Sequence, residues 1–200
     1  MAFADFVHLR VHSAYSLSEG AMHVKAVVEA AKLAEMPAIA ITDTGNMFGA
    51  LEFSEAAVKS GVQPIMGCVL AITQDGADKR PGRRPDPDRM LLLAQNQAGW
   101  NNLMALTSHA YLETESGLVP QVDVDLLAKH AEGLILLCGN REGPLGRLVG
   151  EGQTAAAEDL ARRLAALFPG RFYIELQRHG MPEEDSLGGN NPRRWSGPAS

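Results

Sequence analysis

The sequence is short of cysteine, of aromatic residues, of positive charge and of long apolar runs, and most of these shortages exclude a class of protein. Only two cysteines occur in 200 residues, Cys68 and Cys138, each inside an apolar run. A disulfide framework is thereby excluded, and both read as buried thiols of a reducing compartment. No run of the roughly 18 apolar residues that a membrane-crossing helix needs occurs. The amino terminus lacks the charged start and apolar stretch of a signal peptide, so the cytoplasm is the expected location. Lys and Arg number 18 against 24 Asp and Glu, a net charge of −6. Domains that coat nucleic acid are usually basic, so that role is disfavoured for this chain alone. A part of a larger DNA enzyme, whose DNA-facing surface lies elsewhere, stays compatible. Aromatics make up 6%, but total apolar content is 46%, enough for the core of one domain.

What the sequence does have is alternation of strand-like and helix-like segments. The run Phe6-Val7-His8-Leu9-Arg10-Val11-His12 alternates, and it predicts a strand with Phe6, His8, Arg10 and His12 on one face and Val7, Leu9 and Val11 on the other. Two histidines flanking an arginine suit either a polar pocket or a plain water-facing strand. Ser18 and Glu19 are expected to open a helix near 21–34, with Val24, Val27, Val28 and Ala31 as its apolar face. Residues 37–42 read as a short strand covered on both faces. A turn at Asp43-Thr44-Gly45-Asn46 follows, and Asn46 is a candidate cap for a helix near 47–60. Strands are expected at 62–73, 89–95, 133–138 and 171–177, and helices near 98–112, 123–131, 142–150 and 154–168. Helices between strands supply crossovers, so the expected class is α/β with a mainly parallel sheet, open or curled into a barrel. Ligands gather at the carboxyl ends of such strands, where His12, Ser13, Asp43, Thr44 and His179 fall.

Two stretches break the pattern. Residues 74–88 are polar and rich in Pro and Gly, and read as a loop. Their four basic residues suit contact with a phosphate backbone, and equally a solvated loop of mixed charge. From 185 to 200 no apolar periodicity remains, and that segment is expected to be a disordered or aberrant tail. The domain is therefore expected over 1–184.

His8-Leu9-Arg10-Val11-His12-Ser13-Ala14-Tyr15-Ser16 resembles the opening motif of the PHP (polymerase and histidinol phosphatase) domain family. Ala40-Ile41-Thr42-Asp43-Thr44-Gly45-Asn46-Met47-Phe48-Gly49 resembles the second motif. The segments at 91–96, 99–103, 132–137, 172–176 and 179–183 are similar, in order and at the right intervals, to the amino-terminal PHP domains of bacterial replicative polymerase alpha subunits. The resemblance implies a PHP-type distorted β/α barrel, seven-stranded in the family, and here incomplete at its carboxyl-terminal end, with an unpaired edge. The chain would then be a truncated piece of a much longer polypeptide.

The resemblance also assigns site residues. Family members that hold metal do so through His, Asp, Glu and Cys ligands. The opening His-x-His pair is here Arg10 and His12, and the acidic slot that follows is filled by Glu19. The second motif keeps Asp43 but has Thr44 where a His belongs. The Gly-x-Glu motif reads Gly67-Cys68-Val69, a later His slot holds Arg89 or Met90, and a Cys or His slot holds Asn140. His8 and His179 match the pattern without having to be ligands. A guanidinium is always charged and has no lone pair to give a metal. The implied state is a vestigial pocket of His8, Arg10, His12, Glu19, Asp43, Thr44 and His179, with no metal, no catalytic residue and no cofactor, and with Arg10 pairing to Asp43 or Glu19 in the metal's place. Any Mg2+ would belong to a polymerase region absent from this chain. His23, His109 and His130 fall on helical segments and are expected to face solvent or make ordinary hydrogen bonds.

Three functions follow as rivals. The first is a scaffold and docking module in a replicative polymerase, contacting the rest of that subunit, through it DNA, and in many members the proofreading exonuclease. The second is a metal-dependent phosphoesterase of the PHP family. The third is a free-standing binding module. Ligand counting favours the first over the second.

Overall fold

A computed structural model describes residues 3–74 and 86–177 of the chain. The 185–200 tail, His179 and most of the 74–88 loop lie outside the described residues. The elements run α1 (Val24–Leu33), β1 (Ala38–Ile41), α2 (Ala50–Ser60), β2 (Gln63–Ile72), β3 (Asp88–Ala94), α3 (Gln97–Glu113), β4 (Gln121–Val122), α4 (Val124–Lys129), β5 (Leu134–Cys138), α5 (Pro144–Gly150), α6 (Thr154–Leu167) and β6 (Phe172–Ile174). The expected α/β class is what the chain adopts.

Local chemistry sets several boundaries. Asn96 caps α3 by accepting from Gly99 N at 3.0 Å, and Asp123 caps α4 by accepting from Leu126 N at 2.7 Å. Gly61 ends α2 in the left-handed conformation, φ 74°. Two expected starts differ. The residue before α1 is His23, and Ser18 instead sits at φ 68° in the turn ahead of it. Asn46 does not cap α2; its Oδ1 accepts from Phe48 N, and its Nδ2 donates to the carbonyls of Tyr15 and Thr44. Its amide locks the turn after β1 onto the amino-terminal segment.

The strands order as β1-β2-β3-β5-β6, with β4 on β2. β1 pairs with β2 in parallel, as do β4 with β2 and β6 with β5, whereas β3 is antiparallel to both β2 and β5. The sheet is therefore mixed rather than mainly parallel. β2 and β3, consecutive among the described elements, pair with each other and run antiparallel. β2 is ten residues long. Its first half pairs with β1 and its second half with β3. Gly67 sits at the changeover, where a Cβ would lie 2.6–2.8 Å from Leu93, Leu92 and Thr42 atoms.

The expected opening strand is not a ladder strand. Residues 6–12 run beside β1 through only two backbone bonds, Ala40 N to His8 O and Thr42 N to Val11 O, with Val11 N on the Thr42 hydroxyl. Alternation predicted the direction of Arg10 and His12 better than that of Leu9, which is exposed.

Successive side chains of the central strands feed different cores. Met90 and Leu92 point with Leu70, Ile72, Leu134 and Leu136 toward α3, α5 and α6. Leu91 and Leu93 point the other way, with Ala40, Val69 and Leu137, into the concave interior. A separate cluster joins α1 and α2 to β1. Cys68 and Cys138 are wholly buried, and burial pushes both thiols up to about 12. Among the described residues, no helix is long and apolar enough to cross a membrane.

One packing contact makes a sign-deciding prediction. A Cβ on Gly99 would stand 1.9 Å from the Gly133 carbonyl oxygen. Helix propensity alone favours Ala there by about 1 kcal/mol. The clash is with backbone and cannot be relieved by a rotamer, so Gly99→Ala is expected to destabilise the chain by about 2 kcal/mol or more. A urea melt that moved to higher midpoint would contradict this packing.

Candidate functional site

The site lies where the amino-terminal segment, the turn after β1 and the loop after β5 converge. Asp43, at the carboxyl end of β1, is 3% exposed. Its carboxylate accepts three bonds: from Ser13 N at 2.7 Å, Ser13 Oγ at 2.8 Å and Ser16 Oγ at 2.5 Å. The 13–16 turn exists to do this, since its serines are buried and their protons go to Asp43. Ser16 Oγ in turn accepts from Thr44 N at 3.0 Å. Thr44 Oγ1 donates to Glu19 Oε2 at 2.5 Å.

These commitments fix the proton on His12. Ser16 and Thr44 have each given their single hydroxyl proton to a carboxylate. His12 Nδ1 lies 3.3 Å from Ser16 Oγ, 3.4 Å from Thr44 Oγ1 and 3.6 Å from Glu19 Oε2. All three neighbours can only accept, so Nδ1 carries the hydrogen and Nε2 holds the lone pair. Burial lowers the His12 pKa, Glu19 and Asp43 oppose that, and the guanidiniums of Arg10 and Arg89 reinforce it, for a net lowering. Burial alone would raise Glu19, but the bonds from Thr44 and Arg89 and the Arg89 charge outweigh it, and its pKa is lowered.

Arg10 does not pair with Asp43 or Glu19 as expected. Its Nε and a terminal nitrogen grip Glu175, just after β6, at 2.7 and 2.5 Å. The reason is reach: serine donors have already filled Asp43, and Glu19 is taken by Arg89 at 2.7 Å. Arg89 also lies 3.3 Å from Glu142. Burial disfavours the Arg89 charge, but Glu19 and Glu142 outweigh it and raise its pKa. Of the two candidates for the later His slot, Arg89 reaches the site and Met90 is in the core. Thr44 bridges Val69, the residue in the Gly-x-Glu slot. Asn140, in the Cys or His slot, is 5% exposed, and its Oδ1 has no partner among the described residues. Thr44, Val69 and Arg89 line a cavity of about 430 Å³ with Asp88, Arg141, Glu142, Arg147 and Tyr111.

The structure thus gathers Arg10, His12, Glu19, Asp43 and Thr44 in one constellation. His8 stands apart: it is exposed, and its ring packs edge-on against Phe6 at 4.9 Å. His179 lies outside the described residues. Glu175 was missed by sequence reasoning; the one signal was a carboxylate inside an otherwise apolar strand pattern. Ser16 and the Arg89–Glu19 pair were also missed as site elements. The constellation does not suit a multi-metal centre. Both carboxylates facing His12 are occupied by protein donors, and two guanidiniums bring fixed positive charge to the same place. Among the described residues, no group of three or more His, Cys, Asp or Glu side chains is placed to hold a metal ion.

Two measurements check this geometry. The Arg10 and Glu175 side chains are 17% and 15% exposed, so Arg10→Ala strands a largely desolvated carboxylate. It is expected to cost about 2 kcal/mol and lower Tm by about 4–8 °C, with Arg10→Lys in between, and an unchanged Tm refutes the role given to the pair. The second is pH dependence. A histidine held below its ordinary value of 6.5 stabilises the fold while neutral. Stability is then full above pH 6.5 and falls as pH drops from 6.5 through the folded-state value. Glu19, held below 4.5, adds a second loss of the same sign at lower pH. His12→Gln is expected to flatten the upper part of the urea-midpoint curve only.

The family model for the PHP domain matches residues 8–179. The chain is 45% identical over 181 residues to DNA polymerase III subunit alpha of Caulobacter vibrioides, covering 90% of this chain and 16% of that protein. It is 43% identical over 194 residues to the same subunit of Treponema pallidum, covering 94% and 16%, and 38% identical over 183 residues to that of Rickettsia prowazekii, covering 92% and 15%. The chain therefore spans about one sixth of the length of the curated relatives it matches. With the family model covering most of its residues, the chain belongs to the PHP domain family.

Proposed function

We propose that this chain is the amino-terminal PHP domain of a replicative DNA polymerase alpha subunit, and that it serves as scaffold and docking module there rather than as a phosphoesterase. The observation that carries the reading is the occupancy of the pocket by fixed charge: Arg10 on Glu175 and Arg89 on Glu19. The relatives named above support the polymerase context. Metal-dependent phosphoester hydrolysis needs ions to polarise the phosphate and to make hydroxide at neutral pH. Here the positive charge is supplied by guanidiniums, which activate no water. His12 Nε2 is the lone pair that the bonds on Nδ1 leave over in this constellation.

DNA synthesis, and the Mg2+ that it uses, would belong to other regions of such a protein, working in the cytoplasm. The partners in this reading are the remainder of the alpha subunit and, as the finer statement, its proofreading exonuclease. A surface that suits such a partner flanks the site. Tyr15 and Phe48 are 42% and 70% exposed, and their rings meet edge-on at 6.5 Å; Leu17 and Leu51, close to them in sequence, are exposed as well. Exposed apolar clusters of this kind on a soluble fold mark contact surfaces. The rival reading is a metal-dependent phosphoesterase.

One preparation, read two ways, tests the proposal. The purified chain, with Mn2+ or Zn2+ added, is expected to hydrolyse neither a nitrophenyl phosphate nor a single-stranded oligonucleotide above the blank. Mixed with the exonuclease subunit of the same organism it is expected to co-elute, and Phe48→Ala to weaken that by about tenfold. Metal-stimulated turnover that vanishes in His12→Ala would establish the phosphoesterase instead.

A further inference from the structure

A second pair of histidines, sharing no residue with the Asp43 constellation, has its protons fixed by its neighbours. His109 lies in α3, and its Nδ1 is 2.6 Å from Glu113 Oε1. A carboxylate only accepts, so His109 carries its hydrogen on Nδ1. His130 caps α4, and its Nδ1 is 3.0 Å from Asn102 Oδ1. The Asn102 amide cannot be flipped without loss, because its Nδ2 donates to the Glu132 carbonyl at 2.9 Å. Its oxygen therefore faces His130, and His130 too carries its hydrogen on Nδ1. With Nδ1 so protonated, Nε2 is the ring atom whose lone pair can serve a metal ion.

The two rings are neighbours. Asn102, His109 and Glu113 are seven and four residues apart, so they form one row on α3. His130 is anchored at the Asn102 end of the row and His109 at the Glu113 end. Each Nδ1 is thus committed to its own end of the row. The ring centroids are 5.8 Å apart, with planes at 45°. With Zn–N bonds of about 2.0–2.1 Å, two imidazoles on one ion stand with centroids about 5–6 Å apart. An outer acceptor on each Nδ1–H is also the arrangement that orients a metal-bound histidine and raises its basicity.

We propose that His109 and His130 form a two-histidine site for a borderline divalent cation, Zn2+, that ties α3 to the end of α4, with Glu113 and Asn102 as its outer anchors. Among the described residues no third His, Cys, Asp or Glu joins them, so water completes the coordination. The site makes no use of the pocket at Asp43 and does not depend on the function proposed above.

The test is calorimetric titration of the tag-free 200-residue chain with zinc chloride in a non-chelating buffer. One ion per chain is expected, with loss of that binding in His109→Ala and in His130→Ala, about tenfold weakening in Glu113→Ala, and no change in His12→Ala. Circular dichroism of each variant checks its fold. Ring nitrogen resonances of the unsubstituted chain give a readout that needs no variant: zinc is expected to shift Nε2 of His109 and His130 while Nδ1 stays protonated. Absence of saturable binding, binding untouched by both alanine variants, binding lost in His12→Ala, or Nε2 resonances that zinc leaves in place would each overturn the site.

Discussion

The grip of Arg10 on Glu175 joins the two ends of the strand order. Arg10 stands on the segment that flanks β1, at one end, and Glu175 follows β6, at the other. No ladder connects those ends among the described residues, so the curl of the sheet is held there by side chains. A planar guanidinium gripping both oxygens of a carboxylate fixes angle as well as distance, which a single lysine contact does not. Glu175 N also bonds the Cys138 carbonyl, so the acceptor is itself tied to β5.

The same constraint governs the chemistry. Once Arg10 is committed to Glu175, the charge on Asp43 must be balanced by hydrogen bonds, and the buried serines of the 13–16 turn supply them. Glu19 is met by Thr44 and Arg89. Each hydroxyl proton is used once, and the chain of donors ends at His12. Such a network is rigid because every member is satisfied. Asn140 Oδ1 is the exception, a buried oxygen in a family ligand slot with no donor among the described residues. A neighbouring ion pair, Arg147 on Asp88 at 2.8 and 3.0 Å, pins the start of β3 to α5 and completes the lining of the adjoining cavity.

The sequence by itself determined the periodic elements. The apolar runs at 38–41 and 134–138 are buried strands, and their lack of polar alternation says so. The stripe Val24, Val27, Val28, Ala31 is the buried side of α1 as read. The position of Arg10, Glu19, Asp43 and Thr44 in one pocket was legible from motif resemblance, because those residues lie within a short stretch of chain. Tertiary structure alone decided the rest. Strand direction depends on the path a connection takes, and the segment between β2 and β3 gives no periodic signal. The two-residue β4 is too short for any period to register. Arg10 and Glu175 are 165 residues apart, and nothing local marks either as the other's partner. Charge pairing is set by which acceptors remain unfilled once the backbone has brought them together, and that is a property of the folded arrangement, not of any stretch of residues.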